Sequence, residues 1–293
     1  MKKKTFICMI FISFSLFCHT QIKLPVQLDA LSGPQVIEAA KTSGGVCLLP
    51  LGILEKHGTH LPISTDLIIA REIALKAAEE EYCVVFPAYY FGQINEARHQ
   101  PGAFAYSHST IWNLLQETLD ELSRNGFKKI ILVNGHGGNN DFIQYFLMSQ
   151  LESPKEYVVI NYAPQFDSTF AQSLEKLLDP LGYGHAGSDE TSMVQAIRPD
   201  LVHPELASRQ SGEDLKRLDS IPDQYTGIWW YARFPNHYGG ESSYPNAEYG
   251  RQFNNQMAKQ LVGLIKAVKA SDKIEELQQE FYERAKNPLN TPQ

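Results

Sequence analysis

The stretch Leu49–Arg71, LPLGILEKHGTHLPISTDLIIAR, joins the end of one secondary-structure element to the start of the next. The apolar run Val46–Leu51 predicts a buried strand, and Ile69, Ile73 and Ala77 then recur at helical spacing. The polar side chains between strand and helix are Glu55, His57, His60, Thr65 and Asp66. They therefore lie where a strand ends and a helix begins, which is where open α/β sheets place their sites.

Glu55, His57 and Asp66 form a set of candidate metal ligands. Glu55 and His57 are two residues apart, so on an extended segment they project to the same side. Asp66 follows after a loop that can fold it back towards them. Two carboxylates and an imidazole suit zinc, manganese or a similar divalent ion. From these three residues alone, an alternative is about equally good: Asp66 caps the helix, and the other two are solvated loop residues.

Further along the chain, nearly continuous apolar runs alternate with amphipathic helical patterns. The predicted strands are Val46–Leu51, Cys83–Tyr89, Lys129–Val133 and Tyr157–Asn161. These runs lack polar–apolar alternation, as expected for parallel strands that are covered on both faces. The residues that mark two intervening helices are Ile111, Leu115, Leu119 and Leu122, and then Phe142, Phe146 and Leu147. The series predicts a single doubly wound α/β domain.

The first twenty residues differ in composition from the rest of the chain. Lys2, Lys3 and Lys4 precede the apolar run Phe6–Phe17, and the small residue Thr20 ends the segment. These features predict a secretory signal peptide over residues 1–20 and a periplasmic or secreted mature protein. An uncleaved membrane anchor is the alternative, although the apolar run is short for a membrane span.

The net charge of the chain limits the classes of macromolecule that it is expected to bind. The chain has 293 residues, 43% of them hydrophobic, and a net charge of −7 that becomes −10 once the three lysines of the signal peptide are removed. An acidic exported protein is a poor candidate for nucleic acid or anionic membrane. We therefore expect no nucleic-acid partner and no stable membrane insertion after cleavage.

Two cysteines, Cys47 and Cys83, would remain after cleavage, and both lie inside apolar strand-like runs. This placement favours small core side chains. A disulfide between neighbouring strands is the alternative in an oxidising compartment.

The segment Ser208–Tyr244 is irregular and rich in aromatic residues, among them Trp229 and Trp230. It is either a loop that folds over the site and contacts the substrate, or a segment whose aromatics pack on the core or a neighbouring subunit. Two helices are predicted after it, over Asn246–Ala270 and Lys273–Lys286.

Two further histidines lie between glycines. His136 follows the third predicted strand in Asn134–Asn140, NGHGGNN, and His185 lies in Gly184–Ser192, GHAGSDETS, before Glu190. Glycines around a histidine permit a sharp turn and close approach to the backbone, so both histidines are candidate site residues. His185 can act as acid or base and Glu190 as ligand or proton carrier. The alternatives are a helix-start role for His136 and an N-terminal helix acid at Glu190.

With these motifs together, the chain resembles the creatininase (creatinine amidohydrolase) family. The matching segments, in the family's order, are LPLGILEKHGTHLPISTD, YFGQINEARHQPGAFAYS, VNGHGGNN, GHAGSDETS and GGESSYPNAEYGR, within roughly Leu49–Ala270. The resemblance implies a three-layer α/β/α sandwich with a mostly parallel central sheet, assembled as a homo-oligomer. It implies a creatininase-like domain over residues 21–272. The charged amphipathic pattern that follows predicts a helical tail over residues 273–293.

The resemblance also implies a site. It places four residues at metal-ligand positions: Glu55, His57, Asp66 and His136. Asp66 would bridge two divalent ions, expected to be zinc, with manganese or iron(II) as alternatives, and His185 would lie beside the substrate. The implied reaction is hydrolysis of a C–N bond other than an ordinary peptide bond, in a cyclic amide, a formamide or a small peptide-like substrate. A metal-activated water would attack, with His185 or Glu190 carrying the proton.

Three further residues are candidate substrate contacts: Glu96, Trp229 and Trp230. Glu96 would hydrogen-bond to substrate or to metal ligands, and a purely structural loop contact is its alternative.

One departure from the family pattern concerns the second ion. Creatininase itself carries a glutamate two residues after the histidine of the GH motif, where this chain has Gly138, so creatinine is disfavoured as the substrate. If one ion takes Glu55, Asp66 and His136, the other has two protein ligands and needs a third. Glu190 is the candidate for this position, and a mononuclear site with Glu190 as proton carrier or helix cap is the alternative.

There are two alternative functions of other classes. One is a non-catalytic exported protein that binds a metal or small ligand, and the other is a metal-dependent esterase or phosphoesterase. Retention of the whole set of candidate residues speaks against a decayed site. In the four matching segments that carry candidate site residues, only Lys56 and Arg98 are lysine or arginine residues that could attract an anionic substrate.

Overall fold

The computed structural model describes residues 24–178, 182–242 and 244–292. The predicted signal peptide, residues 1–20, lies outside the described residues, and the division at residues 272 and 273 stays a prediction. Within the described ranges, no helix combines the length and the apolar character needed to cross a membrane.

The described residues form a four-stranded parallel sheet. Its strands are β1 Val46–Leu51, β2 Val84–Val85, β3 Lys129–Asn134 and β4 Val158–Asn161, in the spatial order β2-β1-β3-β4. Strands β1 and β3 pair along their full length, from Val46 opposite Lys129 to Leu51 opposite Asn134. The other two neighbouring pairs are also parallel, which confirms the predicted fold class.

Strand β2 is much shorter than the predicted run Cys83–Tyr89. Pro87 has no N–H group, so it cannot continue a ladder of backbone hydrogen bonds. The chain nevertheless stays beside β1, because the Tyr89 N–H donates to the Pro50 carbonyl oxygen at 3.0 Å. The predicted strand is therefore interrupted at the proline and touches β1 again beyond it.

Helices cover both faces of the sheet. Their bounds are α1 Gly33–Thr42, α2 Thr65–Glu80, α3 His108–Arg124, α4 Asn140–Ser149, α5 Ser168–Glu175, α6 Ser188–Gln195, α7 Trp229–Arg233, α8 Ala247–Lys269 and α9 Lys273–Ala285. The two helices predicted near the C-terminus agree with α8 and α9 to within one residue at each end.

The two faces of β1 point into different hydrophobic cores, because successive residues of a strand face opposite sides. Leu48 packs in one core with Ile73 of α2 and Leu261 of α8. Leu49 packs in the other core with Leu115 of α3. The result is the predicted three-layer α/β/α arrangement.

Cys47 and Cys83 are small core side chains, as expected from their apolar surroundings. Both are buried, and in the described part of the chain neither is paired in a disulfide. Burial raises the pKa of both thiols, that of Cys83 to about 12.

Candidate metal centre

Two glycines bring the start of α2 against the ends of β1 and β3. A side chain at Gly52, just after β1, would press on Asp66, and one at Gly135, just after β3, would overlap the Asp66 backbone. Both positions follow the carboxyl ends of parallel strands, which meet at one edge of the sheet. Asp66 is therefore held directly over this edge.

The structure brings four of the predicted ligands together and buries all of them. Asp66 lies between two histidines, with its Oδ1 3.1 Å from His57 Nε2 and its Oδ2 3.1 Å from His136 Nδ1. Glu55 Oε1 lies 2.9 Å from His136 Nδ1. The alternative of solvated loop residues is wrong for Glu55 and His57.

Backbone carbonyl groups fix which nitrogen of each histidine faces inward. His57 Nδ1 lies 3.3 Å from the Glu55 carbonyl oxygen, and His136 Nε2 lies 3.0 Å from the Gln93 carbonyl oxygen. A carbonyl oxygen only accepts, so these nitrogens carry hydrogen. His57 Nε2 and His136 Nδ1 remain to hold either a proton or a metal ion.

Three buried atoms at the centre of this group fit a cation. Among the described residues, none forms a hydrogen bond with Glu55 Oε1, His57 Nε2 or Asp66 Oδ2. Buried polar atoms without a partner are costly, and native structures contain few of them. These three residues also form a compact N,O ligand set. A divalent ion would satisfy all three atoms, so the residues present fit a metal of the zinc or manganese type.

The electrostatics agree with a cation site. Burial raises the pKa of Glu55, but the imidazoles of His136 and His185 outweigh it and hold this pKa well below its usual range. Burial opposes protonation of His57, yet Asp66, followed by Glu190, raises its pKa to about 10. Carboxylates that favour a proton on an imidazole also favour a metal ion there, and the two compete for the same lone pair.

Glu190 and His185 complete the group from a different part of the chain. Glu190 Oε2 lies 3.6 Å from His57 Nε2 and accepts a hydrogen bond from the Ala186 N–H at 2.7 Å. His185 Nε2 donates to the Lys56 carbonyl oxygen at 2.9 Å, which leaves Nδ1 as its second nitrogen. Burial raises the pKa of Glu190 to about 8 and lowers that of His185 to about 3. His185 is therefore neutral at ordinary pH.

His60 and Thr65, the other polar residues of the opening stretch, do not join this group. His60 Nε2 lies 3.1 Å from both the Ala186 carbonyl oxygen and Thr191 Oγ1. Thr65 Oγ1 donates to the Pro62 carbonyl oxygen at 2.8 Å at the start of α2. His60 thus anchors the turn that carries His185.

His237 was not predicted as a site residue. It is buried, and its Nε2 is hydrogen-bonded to Glu55 Oε2. Two sequence signals could have indicated it: His237 is followed by a Gly-Gly pair after one intervening residue, and this pair belongs to a segment that carries the family resemblance. No spacing rule links His237 to Glu55, because the two are far apart along the chain.

A cavity of about 1000 Å³ opens onto the metal centre. The candidate ligands Glu55, Asp66, His136 and Glu190 lie along it, and so does His185. The three candidate substrate contacts, Glu96, Trp229 and Trp230, also line it. The segment that carries the two tryptophans therefore lines the cavity, and contact of these residues with a substrate stays a prediction.

Gly138, the departure from the creatininase pattern, has a structural reason. A side chain at this position would overlap His136 Nε2 and press on Glu96. His136 uses that nitrogen to bind the Gln93 carbonyl group, so a glutamate at position 138 would displace it. Glu96 is itself held by a hydrogen bond from Gln93 Nε2 at 2.8 Å.

Comparison with known proteins agrees with this site and fold. A family model described as Creatininase, creatinine amidohydrolase, matches residues 29–265. The creatinine amidohydrolase of Pseudomonas putida is 28% identical over 182 residues, covering 56% of this chain and 69% of that protein. The family model spans all four strands and reaches into α8.

Solved structures give the same result. A crystal structure from Bacteroides fragilis, described as a candidate creatinine amidohydrolase, has a TM-score of 0.68 and 26% identity and covers 86% of this chain and 99% of its own. A mutant creatininase of Zn–Zn type has a TM-score of 0.68 over 83% of this chain and 97% of its own, and at 21% identity it shows the shared fold alone. The chain therefore belongs to the creatininase family and is an amidohydrolase that acts on C–N bonds.

Proposed function

We propose that this chain is an exported, metal-dependent amidohydrolase that cleaves an amide bond in a small molecule. The observation that carries the proposal is the set of buried, inward-facing atoms: Glu55 Oε1, His57 Nε2 and Asp66 Oδ2, for which the described residues provide no hydrogen bond. A folded chain keeps such atoms where a cation satisfies them.

We assign Glu55, Asp66 and His136 to one divalent ion, and His57, Asp66 and Glu190 to a second. The bridging role of Asp66 is supported by its two oxygens, each 3.1 Å from a different histidine. The role of Glu190 is supported by its distance of 3.6 Å from His57 Nε2. This assignment supplies three protein ligands for each ion without a side chain at position 138. Zinc is the first choice, with manganese or iron(II) as alternatives.

Divalent ions held by these residues would supply Lewis-acid chemistry that activates a water and polarises the carbonyl group of the substrate. The chain's own residues hold the reacting groups and move the proton. His185 is anchored through Nε2, so its Nδ1 is the ring nitrogen that can take a proton and deliver it to the leaving nitrogen. Glu96 and the tryptophans of α7 contact the part of the substrate that does not react.

The cavity volume favours a substrate larger than a small cyclic amide. Sites for small molecules have volumes of roughly 300–1000 Å³, and this cavity of about 1000 Å³ is at the upper end. Its aromatic wall includes Tyr225, Trp229, Trp230 and Tyr231. We therefore place extended amides, such as N-acyl compounds or short peptides, ahead of lactams and simple formamides.

The test uses purified protein stripped with a chelator and reloaded with zinc or manganese. The substrate panel contains lactams, formamides, N-acyl amino acids and short peptides, together with carboxylic esters and phosphate esters, and mass spectrometry identifies the products. We expect C–N cleavage by the reloaded protein and none by the stripped protein. Cleavage restricted to the esters would favour the esterase alternative, and metal binding without turnover of any substrate would favour the binding-protein alternative.

We also propose that the mature chain begins near Gln21 and lies outside the cytoplasm as a homo-oligomer. The basic and apolar segments at residues 2–17 support export, and family membership supports assembly. N-terminal sequencing of protein from the native cell envelope and sedimentation of the mature chain test the two parts. An intact N-terminus in the cytosol would contradict export, and a monomer at micromolar concentration would contradict assembly.

A further inference from the structure

We infer that Trp230 and His237 act together as positioning residues that make Glu55 a one-oxygen metal ligand. This inference rests on the proposed metal site. Trp230 Nε1 lies 2.8 Å from His237 Nδ1, and His237 Nε2 is hydrogen-bonded to Glu55 Oε2. The three side chains thus form a relay from the cavity wall to a candidate ligand.

The direction of each hydrogen bond follows from the donors available. An indole N–H is a donor and has no lone pair to offer, so His237 Nδ1 must accept. In a neutral imidazole the hydrogen is then on Nε2, which donates to Glu55 Oε2. Trp230 and the acceptor-only carboxylate of Glu55 thus favour the same tautomer of His237, and that tautomer donates to one oxygen of the carboxylate.

The same reasoning argues against His237 as a metal ligand through Nε2, although Glu55, His185 and His237 are close enough to hold an ion. A metal at Nε2 would move the hydrogen to Nδ1, where it would face the indole N–H of Trp230 at 2.8 Å. Glu55 Oε1 then remains as the oxygen that faces the centre, 2.9 Å from His136 Nδ1.

The backbone around His237 is held in an uncommon conformation. His237 has a φ of +51°, in the left-handed region that few non-glycine residues adopt. Lys56 Nζ donates to the carbonyl oxygen of the preceding Asn236 at 2.7 Å, and the Gly239 N–H donates to the His185 carbonyl oxygen at 3.0 Å. Contacts on both sides thus hold the imidazole against Glu55 from a conformation that most residues avoid.

Trp230 also faces the substrate cavity, so the relay joins substrate contact to metal ligation. Its ring meets the ring of His185 edge-on, with centroids 5.7 Å apart and an angle of 90°. A substrate that displaces the Trp230 ring would therefore also change the hydrogen bonds of His237 and Glu55. This arrangement predicts that removal of the indole N–H changes metal binding, although the indole is not itself a ligand.

The test compares Trp230→Phe, His237→Leu and His237→Gln with Trp229→Phe, which changes the neighbouring tryptophan of the same cavity wall. Competition with a chelator measures the affinity for zinc. We expect His237→Leu to weaken binding roughly 10- to 100-fold, as is typical when a partner of a metal ligand is lost. Trp230→Phe should weaken it by a smaller factor, and His237→Gln should restore part of the loss, because an amide N–H can still donate to Glu55. Wild-type affinity in both Trp230→Phe and His237→Leu would overturn the relay.

A second measurement does not depend on bound metal. Long-range ¹H–¹⁵N spectra of histidine-labelled protein report which ring nitrogen carries hydrogen, and His237→Gln identifies the signal. We expect the Nε2–H tautomer for His237 in the wild type and in Trp229→Phe, and a shifted Nδ1 signal in Trp230→Phe, because Nδ1 then loses the indole donor. A Nδ1–H tautomer in the wild type would overturn the inference. If the wild type bound no divalent ion, the proposed function would fail. The tautomer of His237 would still show whether Trp230, His237 and Glu55 are hydrogen-bonded as inferred.

Discussion

Gly250 of α8 lies directly against the backbone carbonyl group of Ser192 in α6. A side chain at position 250 would overlap the Ser192 carbonyl oxygen, so glycine at this position sets how closely the two helices pack. Helix α6 begins at Ser188 and carries Glu190, so this contact also helps to position one side of the candidate metal centre.

Replacing Gly250 by Ala should lower the free energy of unfolding by about 1–3 kcal/mol, because the added methyl group forces two backbones apart. Gly263→Ala in the same helix is the matched control. Position 263 is exposed, and no atom of the described chain lies within 4 Å of the added carbon, so alanine there should stabilise by about 0.5–1 kcal/mol. Denaturant unfolding measures both changes, and equal effects of the same sign would contradict the close contact.

Replacing Asp66 by Ala should abolish activity and remove more metal than loss of any other single ligand, because a bridging carboxylate serves both ions. The fold should survive. Asp66 lies in the first turn of α2, where loss of an acid costs about 0.3–1 kcal/mol. Metal analysis together with thermal melting separates the two effects. Asp141→Ala, which removes an exposed acid from the first turn of α4 on the same cavity, is the control. Full metal occupancy in a folded Asp66→Ala protein would contradict bridging.

Replacing Glu190 by Gln should reduce the metal content from two ions per chain to one, since the second ion would keep His57 and Asp66 as its protein ligands. Asp189→Asn is the control, because Asp189 is the adjacent acid in α6 and accepts a hydrogen bond from the Gly184 N–H at 3.3 Å. Elemental analysis after gel filtration gives the stoichiometry. One ion in both wild type and Glu190→Gln would rule out the ligand role and favour a proton carrier or a helix cap.

Replacing Gly138 by Ala should weaken metal binding about 10-fold, because the new methyl group displaces His136 from its contact with the Gln93 carbonyl group. Gly137→Ala is the control, since no described atom lies within 4 Å of a carbon added there. Chelator competition measures both affinities. If the two variants bound zinc equally well, the tight packing of His136 against position 138 would not matter for the site.

The linear order of residues determined much of the fold. Apolar runs without alternation predicted parallel strands covered on both faces, and the observed sheet has that form. Because parallel strands end at a common edge, the motifs after β1 and β3 had to meet there, which brought Glu55, His57 and His136 within reach of one another. The sequence indicated only that a loop could fold Asp66 back, and the close approach of Asp66 to Gly52 and Gly135 is a property of the folded chain.

Other features of the site were decided by tertiary structure. His57 and His60 lie on one short loop, yet one faces the metal centre and the other anchors a turn from a distant part of the chain. His237 reaches Glu55 across 182 positions. The direction of a side chain in a loop depends on the backbone conformation at that residue and on the donors and acceptors packed around it. Those partners come from distant segments, so local spacing determined which residues approach the site, and only the folded chain determined which of their atoms face it.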